Sequence, residues 1–267
     1  CCAAAERLRV IPLPTDIAIL EQWAHQLADD YLPEGWRRVA SSAFARVAHN
    51  EQLQLYYKEF LPRSPLETAK SMLRGSRATR ARINADALLW AGIDAPANIH
   101  WGKLPGGREY LFMAQSPGRP VDEWLRMPVT GKESLARRRQ LLRELGVFIG
   151  RVHATGFIHG DLRPGNVLAS LEGGRYRFSL IDNERTVRFK APPRKGLLRN
   201  LMQLNMLPPE TLSLTARARF FRSWRRQMKD LSRLECAVLG TEANRWAMRR
   251  MNEKGLLTPE QARRAGL

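Results

Sequence analysis

One acid, an amide five residues on and a second acid sixteen residues beyond that stand in this chain as Asp161, Asn166 and Asp182. The first two share the stretch His159-Gly160-Asp161-Leu162-Arg163-Pro164-Gly165-Asn166-Val167, and the third follows the run Phe178-Ser179-Leu180-Ile181. Phosphoryl transfer asks little covalent chemistry of a protein. It needs a group that orients the attacking hydroxyl and oxygen ligands for Mg²⁺ on the nucleotide phosphates. Asp161 suits the first role, Asn166 and Asp182 the second. Asp and Asn in loops usually just make turns, so the inference rests on all three occurring together at this spacing. Arg163 fits either a partner for transferred phosphate or an acidic acceptor, or a plain ion pair.

Elements on both sides must hold these residues. Thr130-Gly131-Lys132-Glu133 has the form of a capping box. After it Leu135, Leu141, Leu142, Leu145, Phe148, Ile149 and Val152 make an apolar stripe leading into the His159 loop. Residues 167–170 and 176–181, joined through Gly173-Gly174, read as a hairpin that sets Asn166 and Asp182 at neighbouring ends, as a shared Mg²⁺ requires.

Further upstream, residues 1–13 read as irregular, and Thr15 as the cap of a helix with apolar positions Ile17, Leu20, Trp23, Ala24 and Leu27. Three antiparallel strands are expected over 36–40, 44–49 and 52–60, closed by Pro62 and Pro65. A helix from about 66 to 91 follows, with Gly92 in the C-cap position. Strands at 98–101 and 109–115 flank the turn Leu104-Pro105-Gly106-Gly107, and Ser116-Pro117-Gly118-Arg119-Pro120 is the best linker. The boundary therefore falls between a first domain, 1–115, and a mainly helical second, 116–267. From about 196 the second reads as helices separated by Pro208-Pro209, Gly240 and Pro259. One of these, 216–234, interleaves Phe220, Phe221, Trp224, Met228 and Leu231 with six arginines and a lysine. Core packing explains its apolar side, ahead of membrane contact; its basic side fits lipid headgroups.

A chain of 267 residues, 44% apolar, can bury one large core or two modest ones. No run approaches the roughly 18 apolar residues of a membrane-spanning helix. Its 44 Lys+Arg against 26 Asp+Glu give a net charge of +18, more than solubility demands, and point to an anionic partner. Most of that charge is Arg, whose fork matches phosphate and carboxylate, although compositional bias alone also yields Arg-rich faces. Cys1, Cys2 and Cys236 form neither a disulfide framework nor a metal site, which favours a reducing compartment. No signal peptide is visible, and the absence of an initial Met leaves a trimmed start open.

The order of parts resembles the protein-kinase-like fold: an α+β, two-lobed architecture with a small antiparallel β-sheet lobe carrying one main helix, and a larger helical lobe. The loop 159–166, the string Leu180-Ile181-Asp182-Asn183-Glu184-Arg185, the short chain and its basicity resemble the bacterial lipopolysaccharide kinases, which include the heptose and 3-deoxy-manno-octulosonate kinases. The resemblance spans roughly residues 36–235. It implies Asp161 as catalytic base, Asn166 and Asp182 as Mg²⁺ ligands, and Lys58 on the α- and β-phosphates of ATP. It also implies a hinge over 112–115, with Met113 and Gln115, that reads adenine, and a structural brace in His159. Strand alternation turns Glu59 away from Lys58.

Two departures stand out. Alignment on Gly92 puts Ala81 where the helix Glu that partners Lys58 is expected, with Asn84 or Asp86 as substitutes. The phosphate-covering loop lacks its glycines and offers Ser41 and Ser42 instead. The expected activity is ATP-dependent phosphorylation of a sugar hydroxyl in lipopolysaccharide core or a related anionic glycolipid, in the cytoplasm with peripheral contact to an acidic membrane. The alternatives are an aminoglycoside-type phosphotransferase, whose cationic acceptors suit a +18 chain poorly, and a pseudokinase scaffold. Nucleic acid fits the charge alone and is the weakest partner.

Overall fold

A computed structural model describes residues 16–61, 75–264 and 266–267. Cys1, Cys2, the irregular reading of 1–13, Thr15, Pro62, Pro65 and the first part of the helix expected from 66 lie outside the described residues. The chain forms two compact units, one of residues 1–89 and 96–116, the other of 90–95 and 117–267.

In the first unit, α1 (Ile17–Ala28) is capped by Asp16, whose carboxylate accepts from the Ala18 N–H at 2.9 Å. Five antiparallel strands follow: β1 (Trp36–Val39), β2 (Ala45–Asn50), β3 (Leu55–Phe60), β4 (Asn98–Lys103) and β5 (Glu109–Ala114), ordered β1-β2-β3-β5-β4. The expected helix is described over Arg77–Trp90 (α2) and stops before Gly92, whose φ of +73° is a left-handed conformation that favours glycine.

The sheet separates two apolar clusters. Leu20, Ala24 and Leu27 of α1 pack with Trp36, Tyr57 and Phe112. Ala78 and Ala81 of α2 pack with Phe60, Leu111 and Met113. Period-two alternation along β3 sends Glu59 to the α1 side, fully buried, where its carboxylate accepts from Arg108 at 2.7 Å and has Arg46 at 3.9 Å. Burying a carboxylate without partners is costly, and the two guanidinium groups, with the Tyr57 hydroxyl donating at 3.4 Å, supply them. Burial, followed by the nearby Glu59 carboxylate, pushes the Tyr57 phenol well above its ordinary range.

In the second unit the linker is partly ordered as a strand: β6 (Arg119–Pro120) pairs with β8 (Val167–Glu172) in a three-stranded sheet completed by β9 (Arg175–Leu180). Gly118, with φ of +102°, leaves no room for a Cβ against the Ala169 carbonyl, which explains a glycine at that turn. The helices are α3 (Val121–Arg126), α4 (Gly131–Ala154), α5 (Arg194–Leu204), α6 (Leu214–Gln227), α7 (Arg233–Glu253) and α8 (Pro259–Arg264). β7 (Phe157–Ile158) and β10 (Val187–Arg188) form a short antiparallel pair.

Three sequence expectations are corrected here. Thr130 is the N-cap of α4, but its side chain makes no capping bond, and the Glu133 carboxylate that would complete the box accepts from Arg137 at 2.8 Å. Gly240 does not separate helices; it lies inside α7, where a Cβ would come within 2.7 Å of the Phe221 ring. The segment 216–234 is two helices, broken after Gln227, and the second is started by a capping box in which Ser232 and Glu235 exchange hydrogen bonds. The apolar side of α6 is core: Phe220 and Trp224 are buried against α4, whose Gly146 and Gly150 allow the α6 backbone and Gln227 to approach closely.

Candidate active site

The loop between β7 and β8 carries Asp161 and Asn166. Gly160 opens it with φ of +76°, and a Cβ there would meet the Arg185 carbonyl at 2.5 Å. The Arg163 N–H donates to the Asp161 carbonyl at 2.8 Å, and the Asn166 N–H to the Arg163 carbonyl at 2.9 Å. The Asn166 side-chain amide donates from Nδ2 to the Asp161 carbonyl at 2.9 Å. With its nitrogen committed, Asn166 has Oδ1 left as the side-chain atom that could accept from or ligate another group.

The hairpin expected from sequence is present, with Val167 opposite Leu180. One step further, the Ile181 N–H donates to the Asn166 carbonyl at 3.1 Å, so Asn166 and Asp182 stand at adjoining strand ends. Asp182 takes a left-handed conformation, φ +62° and ψ +48°, at the start of the 3₁₀ turn Asn183–Arg185. Asp tolerates this region better than most residues, and such outliers concentrate at functional sites.

His159 is buried and braces the same junction. Its Nε2–H donates to the Ile181 carbonyl at 3.0 Å. Burial pushes its pKa down against the opposing pull of that bond and of Asp182 and Asp161, so the imidazole is neutral and structural. Asp161 itself is largely buried, with 21% of its side chain exposed. Its Oδ2 accepts from Arg163 at 2.8 Å and its Oδ1 from Gln203 at 3.5 Å.

These residues fit a magnesium nucleotide. One carboxylate and one amide oxygen at adjoining strand ends are hard oxygen donors, and Mg²⁺ is usually held by one or two carboxylates plus phosphate oxygens and water. Among the described residues no group of three or more His, Cys, Asp or Glu could hold a metal ion by itself.

The candidate nucleotide residues of the first unit are also placed. Lys58 lies on β3 opposite Leu111 of β5, its Nζ 5.1 Å from the Phe60 ring centroid, on the face opposite Glu59. Ala81, aligned with the absent helix Glu, is a buried core residue, and Asp86 binds the Asn98 amide at 2.8 Å. Ser41 and Ser42 occupy the β1–β2 turn, with the Ser41 hydroxyl donating to the Ala45 carbonyl at 2.7 Å and Ser42 Oγ accepting from Phe44 N at 3.4 Å. Met113 packs on the α2 side. The Gln115 N–H donates to the Gln54 carbonyl at 2.7 Å, and its side chain binds His49, so neither group is open to a ligand.

Sequence reasoning missed Asn200 and Gln203 of α5. Asn200 Oδ1 accepts from the His159 N–H at 3.0 Å, and Gln203 Oε1 from the Leu162 N–H at 3.0 Å. Their signal was legible as two amides sharing the buried helix face of Leu197, Leu201 and Leu204.

The model of the lipopolysaccharide kinase (Kdo/WaaP) family matches residues 21–220. This chain belongs to that family. Among solved structures, WaaP in complex with acyl carrier protein has a TM-score of 0.55 at 15% identity, covering 86% of this chain and 97% of that one, which shows the shared protein-kinase-like fold. The EKC/KEOPS complex subunit bud32 of Emericella nidulans is 30% identical over 158 residues, 46% of this chain and 54% of that protein. Serine/threonine-protein kinase PknA of Mycobacterium tuberculosis is 31% identical over 99 residues, 34% of this chain and 22% of that one. The chain thus spans about half the length of the first of these curated relatives and about a fifth of the second.

Proposed function

We propose that this protein transfers the terminal phosphate of ATP to a sugar hydroxyl of lipopolysaccharide core or a related anionic glycolipid. The observation that supports this most is the bonded frame of the 159–182 region, which presents the Asp161 carboxylate, Asn166 Oδ1 and Asp182 from one rigid junction. In the reaction the sugar oxygen bonds to the γ-phosphorus, the bond to the β-phosphate oxygen breaks, and the hydroxyl proton passes to Asp161. Asn166 and Asp182 would hold the Mg²⁺ that screens charge on the phosphates.

Lys58 would steady the α- and β-phosphates, with Ser41 and Ser42 contributing to the phosphate-covering turn and residues 112–115 to the adenine site. Arg163, exposed and able to leave Asp161, would meet the phosphate or an acidic acceptor. The excess of basic residues suits an anionic lipid-linked acceptor and peripheral contact with an acidic membrane from the cytoplasmic side. Among the described residues no helix is long and apolar enough to cross a membrane.

Incubation of the protein with Mg-ATP and purified lipopolysaccharide tests the reading. A glycolipid mass increased by one phosphate, with stoichiometric ADP, is the expected result; ADP without phosphorylated glycolipid removes this acceptor class, and no ADP removes the enzyme.

A further inference from the structure

Behind Asp161 lies a chain of buried side chains that the reaction scheme above does not use. Trp224 of α6 donates its indole N–H to His153 Nδ1 at 2.9 Å. An indole nitrogen only donates, so His153 carries its proton on Nε2. That proton goes to Asn200 Oδ1 at 3.2 Å. Asn200 Nδ2 then donates to Gln203 Oε1 at 3.3 Å, and Gln203 Nε2 donates to Asp161 Oδ1 at 3.5 Å and to the Gly160 carbonyl at 3.3 Å. Every bond runs in one direction, from α6 to the carboxylate.

We propose that Gln203 is a positioning residue for phosphoryl transfer, and that Trp224, His153 and Asn200 fix its polarity so that it offers Asp161 an N–H and not a carbonyl. The inference rests on the kinase reading above. A reversed Gln203 amide would set an oxygen against the carboxylate and turn Asp161 away from the acceptor. Three groups that can only donate, the Trp224 indole and the backbone N–H groups of His159 and Leu162, prevent that reversal by demanding oxygen or a bare ring nitrogen from their partners.

Burial supports the arrangement. Trp224, His153 and Asn200 are fully buried, and burial lowers the His153 pKa to about 4, so a proton that would break the Trp224 bond is absent at neutral pH. In such a site no water competes for the donors, and aligned hydrogen bonds polarise one another. The 3.5 Å contact is long, as catalytic hydrogen bonds often are before substrate binds, and it holds Oδ1 while the exposed Arg163 can release Oδ2 to the incoming hydroxyl.

Gln203→Glu separates positioning from mere bracing. The substituted carboxylate still accepts from Leu162 and Asn200, but it lacks the N–H groups that Gln203 gives Asp161 and the Gly160 carbonyl. ADP release with lipopolysaccharide should show kcat at least tenfold lower, KM for ATP within twofold of wild type, and an unchanged circular dichroism spectrum. Trp224→Phe, which removes the donor together with part of the buried ring system, should lower kcat several-fold at constant KM. Wild-type kcat in Gln203→Glu, with active wild-type protein, overturns this inference alone. A wild-type protein that releases no ADP overturns the kinase reading and this inference with it.

Discussion

The Ile181 N–H donates to the Asn166 carbonyl at 3.1 Å, and this one bond joins the loop that carries Asp161 to the strand that ends in Asp182. Because the adjoining ladder pairs Val167 with Leu180, the separation of the two proposed Mg²⁺ ligands is set by strand pairing and not by flexible loop geometry. His159 grips the carbonyl of the same Ile181 from the other side.

The metal assignment predicts a double requirement. ATP should raise the melting temperature of wild-type protein only when Mg²⁺ is present, and Asp182→Asn, which keeps a side chain tolerant of the left-handed backbone, should lose most of that increase. A magnesium-independent shift of equal size in both proteins would contradict the assignment.

Burial of neutral His153 predicts a pH dependence of stability. The unfolded chain binds a proton near pH 6.5 and the folded chain only near 4, so the unfolded state holds more protons between these values. Stability is therefore undiminished by this group above pH 6.5 and falls as pH drops toward 4, by about 3 kcal/mol in total. His153→Gln, which can still accept from Trp224 and donate to Asn200, should flatten urea-derived stability across that window. Identical profiles would remove His153 as the cause.

Glu59 and Arg108 should be unequal partners in a mutant cycle. Arg108→Met leaves a fully buried carboxylate with the Tyr57 hydroxyl at 3.4 Å and Arg46 at 3.9 Å, and should cost about 2 to 3 kcal/mol in urea denaturation. Adding Glu59→Gln to that variant should recover part of the loss. Additive effects would show that the pair is not coupled.

Gly146 tests the packing that carries Trp224 to His153. A methyl there would strike the Phe220 carbonyl of α6, so Gly146→Ala should destabilise by about 2 kcal/mol or more. An unchanged melting temperature would mean that α4 and α6 separate at little cost.

Much of the site was legible in the sequence because it is local. The Asp161 loop, Asn166 and the strand leading to Asp182 lie within 24 residues, and the hairpin follows from alternating apolar residues with Gly173-Gly174 between them. Glu59 could be assigned to the face away from Lys58 by alternation alone. What was missed is non-local. Asn200 and Gln203 act on His159, Leu162 and Asp161 from about 40 residues away, and Trp224 reaches His153 across 71. Local spacing cannot reveal such pairs, although two amides on a buried helix face should prompt the search for their partners. Thr130 and Gly240 misled for a related reason: Thr130 makes no side-chain cap and Glu133 turns to Arg137, and the supposed breaker was a glycine admitting the Phe221 ring.

The central claim, that Asp161 orients the attacking hydroxyl, is tested most directly by measuring ADP release and ATP binding in Asp161→Asn beside wild type, with lipopolysaccharide as acceptor. The account predicts ADP formation lowered at least a thousandfold, with the ATP dissociation constant within about threefold of wild type. Turnover retained within tenfold would contradict it.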